Sequence, residues 1–364
     1  MSGQLLDQVA TQPIGSGRML LVRPGGACYL GRGHSVYRSN DDGASWTRVA
    51  VIPQSVLRRT AGVSRLASRL LRYELRALAE LSDGTLIAAN RQGVFRSVAG
   101  AEVMIPAQFE GAGQSVSPPM TLTVGPRDRI LWGEYSTKTA HAPPVRLFVS
   151  DKGGATFQVA RVFEGGSIRH VHNIQFDEQL RHYWVLAGDH DHEPGIGRLS
   201  EDLKDFDWVA KGQQQYRAVQ VFDLGDSLIY GTDTEREKNA VIRLEKKTGR
   251  VERLQELDGS CIYGCRFGGI YALSTSIEPS LVNLGREAGL WLSRDAMHWT
   301  RVFGAAKDRW HAAYFQFGSI VLPRGETDRE TILFSGQALR GIDGRAFRAT
   351  AALEHKPGDR SIAS

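Results

Sequence analysis

The sequence predicts an all-β chain folded as a seven-bladed β-propeller, with a short helical insertion near residues 55–75. Three observations predict it. First, residues 35–46 form a strand-like run that ends in Ser39-x-Asp41-x-Gly43-x-x-Trp46. In such a turn the Asp side chain accepts from nearby backbone N–H groups, glycine takes the positive φ and tryptophan packs beneath. Second, degenerate copies follow. Residues 150–157 keep the serine, Gly154 and an aromatic, with Lys152 at the Asp position. Residues 200–208 keep Asp202 with one residue more, and 293–299 keep Asp295 with one fewer. Weaker echoes lie at 94–97, 241–244 and 344–347. Third, anchors at 39, 97, 150, 200, 244, 293 and 340 are spaced by 58, 53, 50, 44, 49 and 47 residues. Seven units of about fifty residues, each long enough for four strands, fill the chain. The 40 glycines suit that many turns. Length alone suggests two or three domains for 364 residues; the repeat argues instead for one domain over residues 1–364.

The elements follow in order. The widest spacing, 39 to 97, holds residues 55–78, where Val63, Leu66, Leu70 and Tyr73 recur on one helical face. Arg58, Arg59, Arg65, Arg69 and Arg72 make this segment basic. The reading is a helix on the propeller rim with its arginines in water; the alternative is a basic arm over an anionic ligand or a membrane surface. Second strands are expected at 85–88, 129–132, 183–186, 228–230, 270–273 and 332–334. Polar residues follow each: Asn90, Glu134 with Tyr135, Asp189 to His192, Asp233 with Thr234, Ser274 to Glu278, and Gln337. If the Ser-Asp-Gly-Trp turns join third to fourth strands, these polar loops lie on the opposite face. There they meet the starts of the innermost strands beside the central channel. Those starts are polar too: residues 72–76 for the second blade, 169–175 for the fourth, Tyr216-Arg217 for the fifth and Trp310-His311 for the seventh.

This face carries the candidate chemistry. Glycoside cleavage needs one protonated and one ionised carboxyl group, and Glu134, Asp189, Asp233 and Glu278 are the candidates. Glu278 or Glu134 is cast as general acid and Asp189 or Asp233 as its partner. His170 and His172 alternate on a strand and share a face, placed to position substrate or assist proton transfer. Tyr135, Arg217, His311, Arg76 and Trp310 are candidate substrate-binding residues, the arginines for an acidic sugar and the aromatics for stacking on sugar rings. A divalent metal is a candidate cofactor, held by His170 and His172 with Asp189 or Asp191 from the next loop, or with Gln175 and His311 as further ligands. A metal-dependent lyase with Arg217 as base is a variant of this reading.

The Ser39 to Trp46 pattern is identified as an Asp-box, and with seven units the chain resembles the BNR/Asp-box group of propellers, which includes sialidases and other glycan-active proteins. Residues 131–279 also resemble a group of uncharacterised bacterial propellers labelled glycosyl hydrolase, through 132–135, 170–172, 188–191, 230–234 and 276–279. The resemblance implies a carbohydrate-active propeller. The Arg-Ile-Pro tripeptide that sialidases carry before the first box has no counterpart here: in Leu21-Val22-Arg23-Pro24 the arginine directly precedes the proline. The reading is therefore cleavage of a glycosidic bond in an acidic oligo- or polysaccharide; the alternative is a non-catalytic propeller that binds a glycan or a protein.

Other classes are excluded by composition and motif. A net charge of +5 permits anionic partners, but no nucleic-acid module accompanies it. There is no phosphate-binding glycine loop and no G-x-S-x-G elbow. Three cysteines cannot build a disulfide framework. No apolar run reaches membrane-spanning length. Residues 1–13 lack a basic segment followed by an apolar core, so the expected compartment is the cytoplasm.

Overall fold

The computed structural model describes residues 9–55, 64–111, 116–136 and 143–351. Its strands pair into seven successive four-stranded antiparallel units, and the chain is a β-propeller. Six units run in sequence through 18–51, 77–106, 123–163, 171–211, 222–256 and 260–306. The seventh combines Gly318–Val321, Thr331–Gln337 and Arg345–Ala351 with Val9–Ser16, which pairs antiparallel to Arg345–Ala351. The ring is thus closed by strands from the two ends of the described chain.

Alternation explains the layers. Strand side chains point to opposite faces in turn, and both faces of a blade are covered by its neighbours, so each second strand carries a continuous apolar run. His182–Ala187 and Ser227–Gly231 are buried over their whole lengths. Trp184 and Leu186 meet Tyr230 and Ile242 of the next blade, while Trp132, Phe148 and Phe157 pack against Ile87 and Ala89 of the preceding one. Polar side chains stitch the innermost strands. The Asn173 amide donates to Val219 O at 2.9 Å, and Gln175 both donates to Val221 O and accepts from Val221 N, at 3.1 and 2.8 Å.

The Ser-Asp-Gly-Trp turns do join third to fourth strands, and they are structural. Ser39 Oγ accepts from Gly43 N at 2.9 Å, and Asp41 Oδ1 accepts from Ser45 N at 2.9 Å. Trp46 Nε1 donates to Ile14 O at 2.8 Å, which pins the closing strand to the first blade. At 150–157 the serine still accepts from Gly154 N, so the turn survives Lys152. In the later copies Asp202 and Asp295 accept from their own serines and from backbone N–H groups.

The predicted helix is present as α1 (Arg65–Leu71); the part of the expectation on residues 56–63 lies outside the described residues. Its orientation corrects the sequence reading. Arg69 is buried, bonded to Asp308 and Asp343 and to Phe315 O, and Arg65 bonds Glu74 and Asp343. Leu70 is 48% exposed. The helix therefore turns its arginines inward, because the carboxylates beside it compensate a buried guanidinium better than a leucine would. These arginines are committed to the fold and leave no basic arm on this helix.

Candidate functional site

Antiparallel pairing inside each blade builds the site. The start of an innermost strand lies opposite the end of the second strand, so the residues that enter the one meet the loop that leaves the other. Gly188 N bonds His170 O at 3.1 Å and Asp233 N bonds Arg217 O at 3.0 Å. Asp189 is thereby set against His170, and Asp233 against Arg217. In the sixth blade Ser260 pairs with Ser276, and Ser260 Oγ bonds Glu278 Oε2 at 3.3 Å.

In the fourth blade, His170 Nε2 and His172 Nε2 are 3.0 Å apart and lie 3.2 and 2.9 Å from Asp189 Oδ1. Both imidazoles are 2% exposed. The Tyr135 ring lies over His170 with centroids 4.1 Å apart. Arg217 reaches Asp189 Oδ1 at 3.1 Å, Asp233 Oδ2 at 3.6 Å and Glu235 Oε2 at 2.5 Å. Burial opposes charge on Arg217, but Asp233, Asp189 and Glu235 outweigh it and raise its pKa.

Glu278 behaves in the opposite way. Burial, with Asp233 next, pushes its carboxyl up to about 8, only partly countered by Arg217. It is therefore protonated at neutral pH. One oxygen of the buried Asp233, Oδ1, has no hydrogen-bond partner among the described residues.

Glu278 and Tyr135 border an open cavity of about 200 Å³, walled also by Arg18, Arg76, Tyr263 and Arg324 from the first, second, sixth and seventh blades. Among the described residues, none of these three arginines pairs with a carboxylate. Arg18 bonds Gln337 and Tyr263 Oη at 2.5 and 2.8 Å. Arg324 bonds Gln220 at 2.7 Å and Ile262 O at 3.4 Å. Arg76 has the Tyr135 ring 5.6 Å from its Cζ. Burial pulls Arg324 down to about 10, which still leaves it charged at neutral pH. Of the two glutamates on the cavity wall, Glu74 is bonded by Arg65 and Glu278 is uncharged at neutral pH.

Other sequence candidates lie elsewhere. Both oxygens of Glu134 are taken: Oε1 accepts from Arg146 Nη2 and Ser117 N, and Oε2 from Arg146 Nε and N. Gln175 is occupied by Val221, because an odd step along the strand turns it away from His172. His311 is exposed and caps the short helix α2 (Ala312–Phe315), and Trp310 packs on Phe315. Arg217 is enclosed by three carboxylates. Arg18 and Arg324 were missed in the sequence. Arg18 opens an innermost strand, as Arg76 immediately precedes one; Arg324 stands just past one, where no pattern marks it.

No protein-family model matches the chain, and no curated protein matches it in sequence. Solved structures match in fold. The WD40 β-propeller domain of Doa1 covers 96% of the chain and 97% of its own length, at 10% identity and a TM-score of 0.54. YCF48 bound to D1 peptide is similar at a TM-score of 0.56 and 7% identity, covering 94% of the chain and 97% of its own. A puromycin hydrolase S511A mutant complexed with PGG reaches 18% identity and a TM-score of 0.54, over 94% of the chain and 55% of its own. At these identities the likeness establishes the propeller fold and nothing about chemistry.

Proposed function

We propose that the protein is a carbohydrate-active propeller that seats an acidic oligo- or polysaccharide in the central cavity and cleaves a glycosidic bond there. The observation that carries this reading is Glu278: a buried carboxyl that burial and the nearby Asp233 keep protonated up to about pH 8, on a cavity wall whose Arg18, Arg76 and Arg324 have no carboxylate partner among the described residues. A buried carboxyl that keeps its proton at neutral pH is placed to act as the general acid of glycoside cleavage. The Asp-box resemblance agrees with the same class.

In this mechanism Glu278 gives its proton to the glycosidic oxygen as the C–O bond breaks. Asp233, which keeps one oxygen free of hydrogen bonds, takes a proton from the water that attacks the sugar carbon. Arg18, Arg76 and Arg324 bind the sugar's carboxylate, since guanidinium and carboxylate match in shape and charge. Tyr135 offers a ring face to the sugar.

The test is a panel of acidic and neutral oligosaccharides, read for new reducing ends and for absorbance of unsaturated uronates. Reducing ends from acidic members, absent with Glu278→Gln, are expected. Absorbance instead would replace hydrolysis by elimination. Silence across the panel would sink the catalytic reading in favour of a propeller that binds a glycan or a protein.

A further inference from the structure

We propose that His170, His172 and Asp189 form a binding site for a single divalent first-row transition-metal ion. The argument rests on where the protons of the two imidazoles must be. His170 Nδ1 lies 2.8 Å from Ser136 O, and His172 Nδ1 lies 3.2 Å from Ala218 O. A carbonyl oxygen only accepts, so each Nδ1 carries a proton and donates it. In the neutral ring each Nε2 is then a bare lone pair. Both lone pairs point at the same carboxylate oxygen and at each other, with separations of 2.9, 3.0 and 3.2 Å.

Three acceptors in mutual contact repel unless a cation lies between them. One added proton does not suffice: bonded between two of the atoms, it leaves the third facing another lone pair. An ion about 2.1 Å from each donor, in tetrahedral or octahedral geometry, sets the donors about 3.0–3.4 Å apart. The observed triangle has that size. The remaining features of a metal site are present as well. Each ligating imidazole is oriented by a backbone carbonyl on its other nitrogen. The Asp189 loop is held by Gln214, whose amide donates to Asp189 O at 2.9 Å, and by Glu193, which accepts from Asp189 N at 3.1 Å. Arg217 touches the ligating oxygen, but Asp233 and Glu235 also share its charge, so the surroundings remain anionic.

Two neutral imidazole nitrogens and one carboxylate oxygen suit zinc, manganese or iron(II) rather than calcium or magnesium, which take oxygen ligands. The sequence motif H-x-H supplied two ligands. The third is Asp189, seventeen residues beyond His172 and one of the loop carboxylates the sequence offered; Gln175, also expected there, is bonded to Val221 instead. This site is independent of the glycosidase reading, because its test uses no substrate.

The test is calorimetric titration of chelator-treated full-length protein with Zn²⁺ or Mn²⁺ alone, and the visible absorption of a cobalt(II) derivative. One equivalent is expected to bind. His172→Ala and Asp189→Asn should each weaken it by a hundredfold or more while circular dichroism shows the fold retained. His311→Ala, which removes an exposed histidine, should leave the stoichiometry at one. If one ligand variant fails to fold, the other carries the test, together with the cobalt spectrum of the unaltered protein. Absence of binding would overturn the proposal, as would equal affinity in the ligand variants, calcium binding in preference to zinc, or loss of the bound equivalent in His311→Ala.

Discussion

Glu278 and Arg76 show how one cavity can hold groups that cost stability. Between about pH 4.5 and 8 the unfolded chain has released the Glu278 proton while the folded chain keeps it. The folded state then binds more protons, so stability falls as pH rises through that window and levels off above it. Glu278→Gln removes this cost. Thermal melts should show the variant more stable than the wild type at pH 8 and equal to it near pH 4. Hydrolysis by the wild type should fall as pH passes about 8, when the acid is lost. Arg76 gives the complementary case. Its half-buried guanidinium, which has no carboxylate partner among the described residues, is held against its own desolvation. Arg76→Met is expected to leave the melting temperature of the sugar-free protein unchanged or raised, yet to weaken glucuronate binding tenfold or more. Calorimetry with glucuronate and with glucose checks this: equal affinity for the two sugars would remove the basis for calling the substrate acidic.

At the scale of elements, the Ser39 to Trp46 turn shows why a short motif repeats while its letters drift. The bonds it needs come from serine Oγ and from backbone, so Lys152 is tolerated where Asp41 stands in the first copy. Glycine at position 43 is less replaceable. Its φ is +84°, and an added Cβ would lie 2.5 Å from Ile14 Cδ1. Gly43→Ala should destabilise by about 1–3 kcal/mol, measured by urea unfolding, and should raise hydrogen exchange in Val9–Ser16. A variant as stable as the wild type would show that the closing strand can shift to admit the methyl group. Helix α1 teaches a different lesson. Its periodicity was visible, but periodicity cannot say which face is buried when the neighbours that bury it, Asp308 and Asp343, lie more than two hundred residues away.

On the scale of the whole molecule, closure joins distant parts of the chain. Val9–Ser16 completes the seventh blade, and without it Arg345–Ala351 becomes an open edge whose unpaired N–H and C=O groups invite another chain. Deleting residues 1–16 should lower the cooperativity of urea unfolding and shift the protein toward aggregates in size-exclusion chromatography. A monomeric deletion variant with an unchanged unfolding slope would show that the ring holds without its clasp.

The sequence by itself determined the repeat, the propeller and the face on which polar loops collect, because turn chemistry and strand alternation are local properties. It also placed His170 and His172 on one strand face and named Asp189, Asp233 and Glu278. What it could not decide was partnership. Glu134 and Glu278 read alike as acids after second strands, but one is closed by Arg146 and the other is left protonated beside Asp233. Arg217 and Arg76 read alike as anion binders, but one is enclosed by carboxylates and the other faces the cavity without one among the described residues. Arg18 and Arg324 join Arg76 only because the ring brings the first and seventh blades to the same wall. Charge state and availability depend on what stands across the channel, and that is set by the closing of the ring.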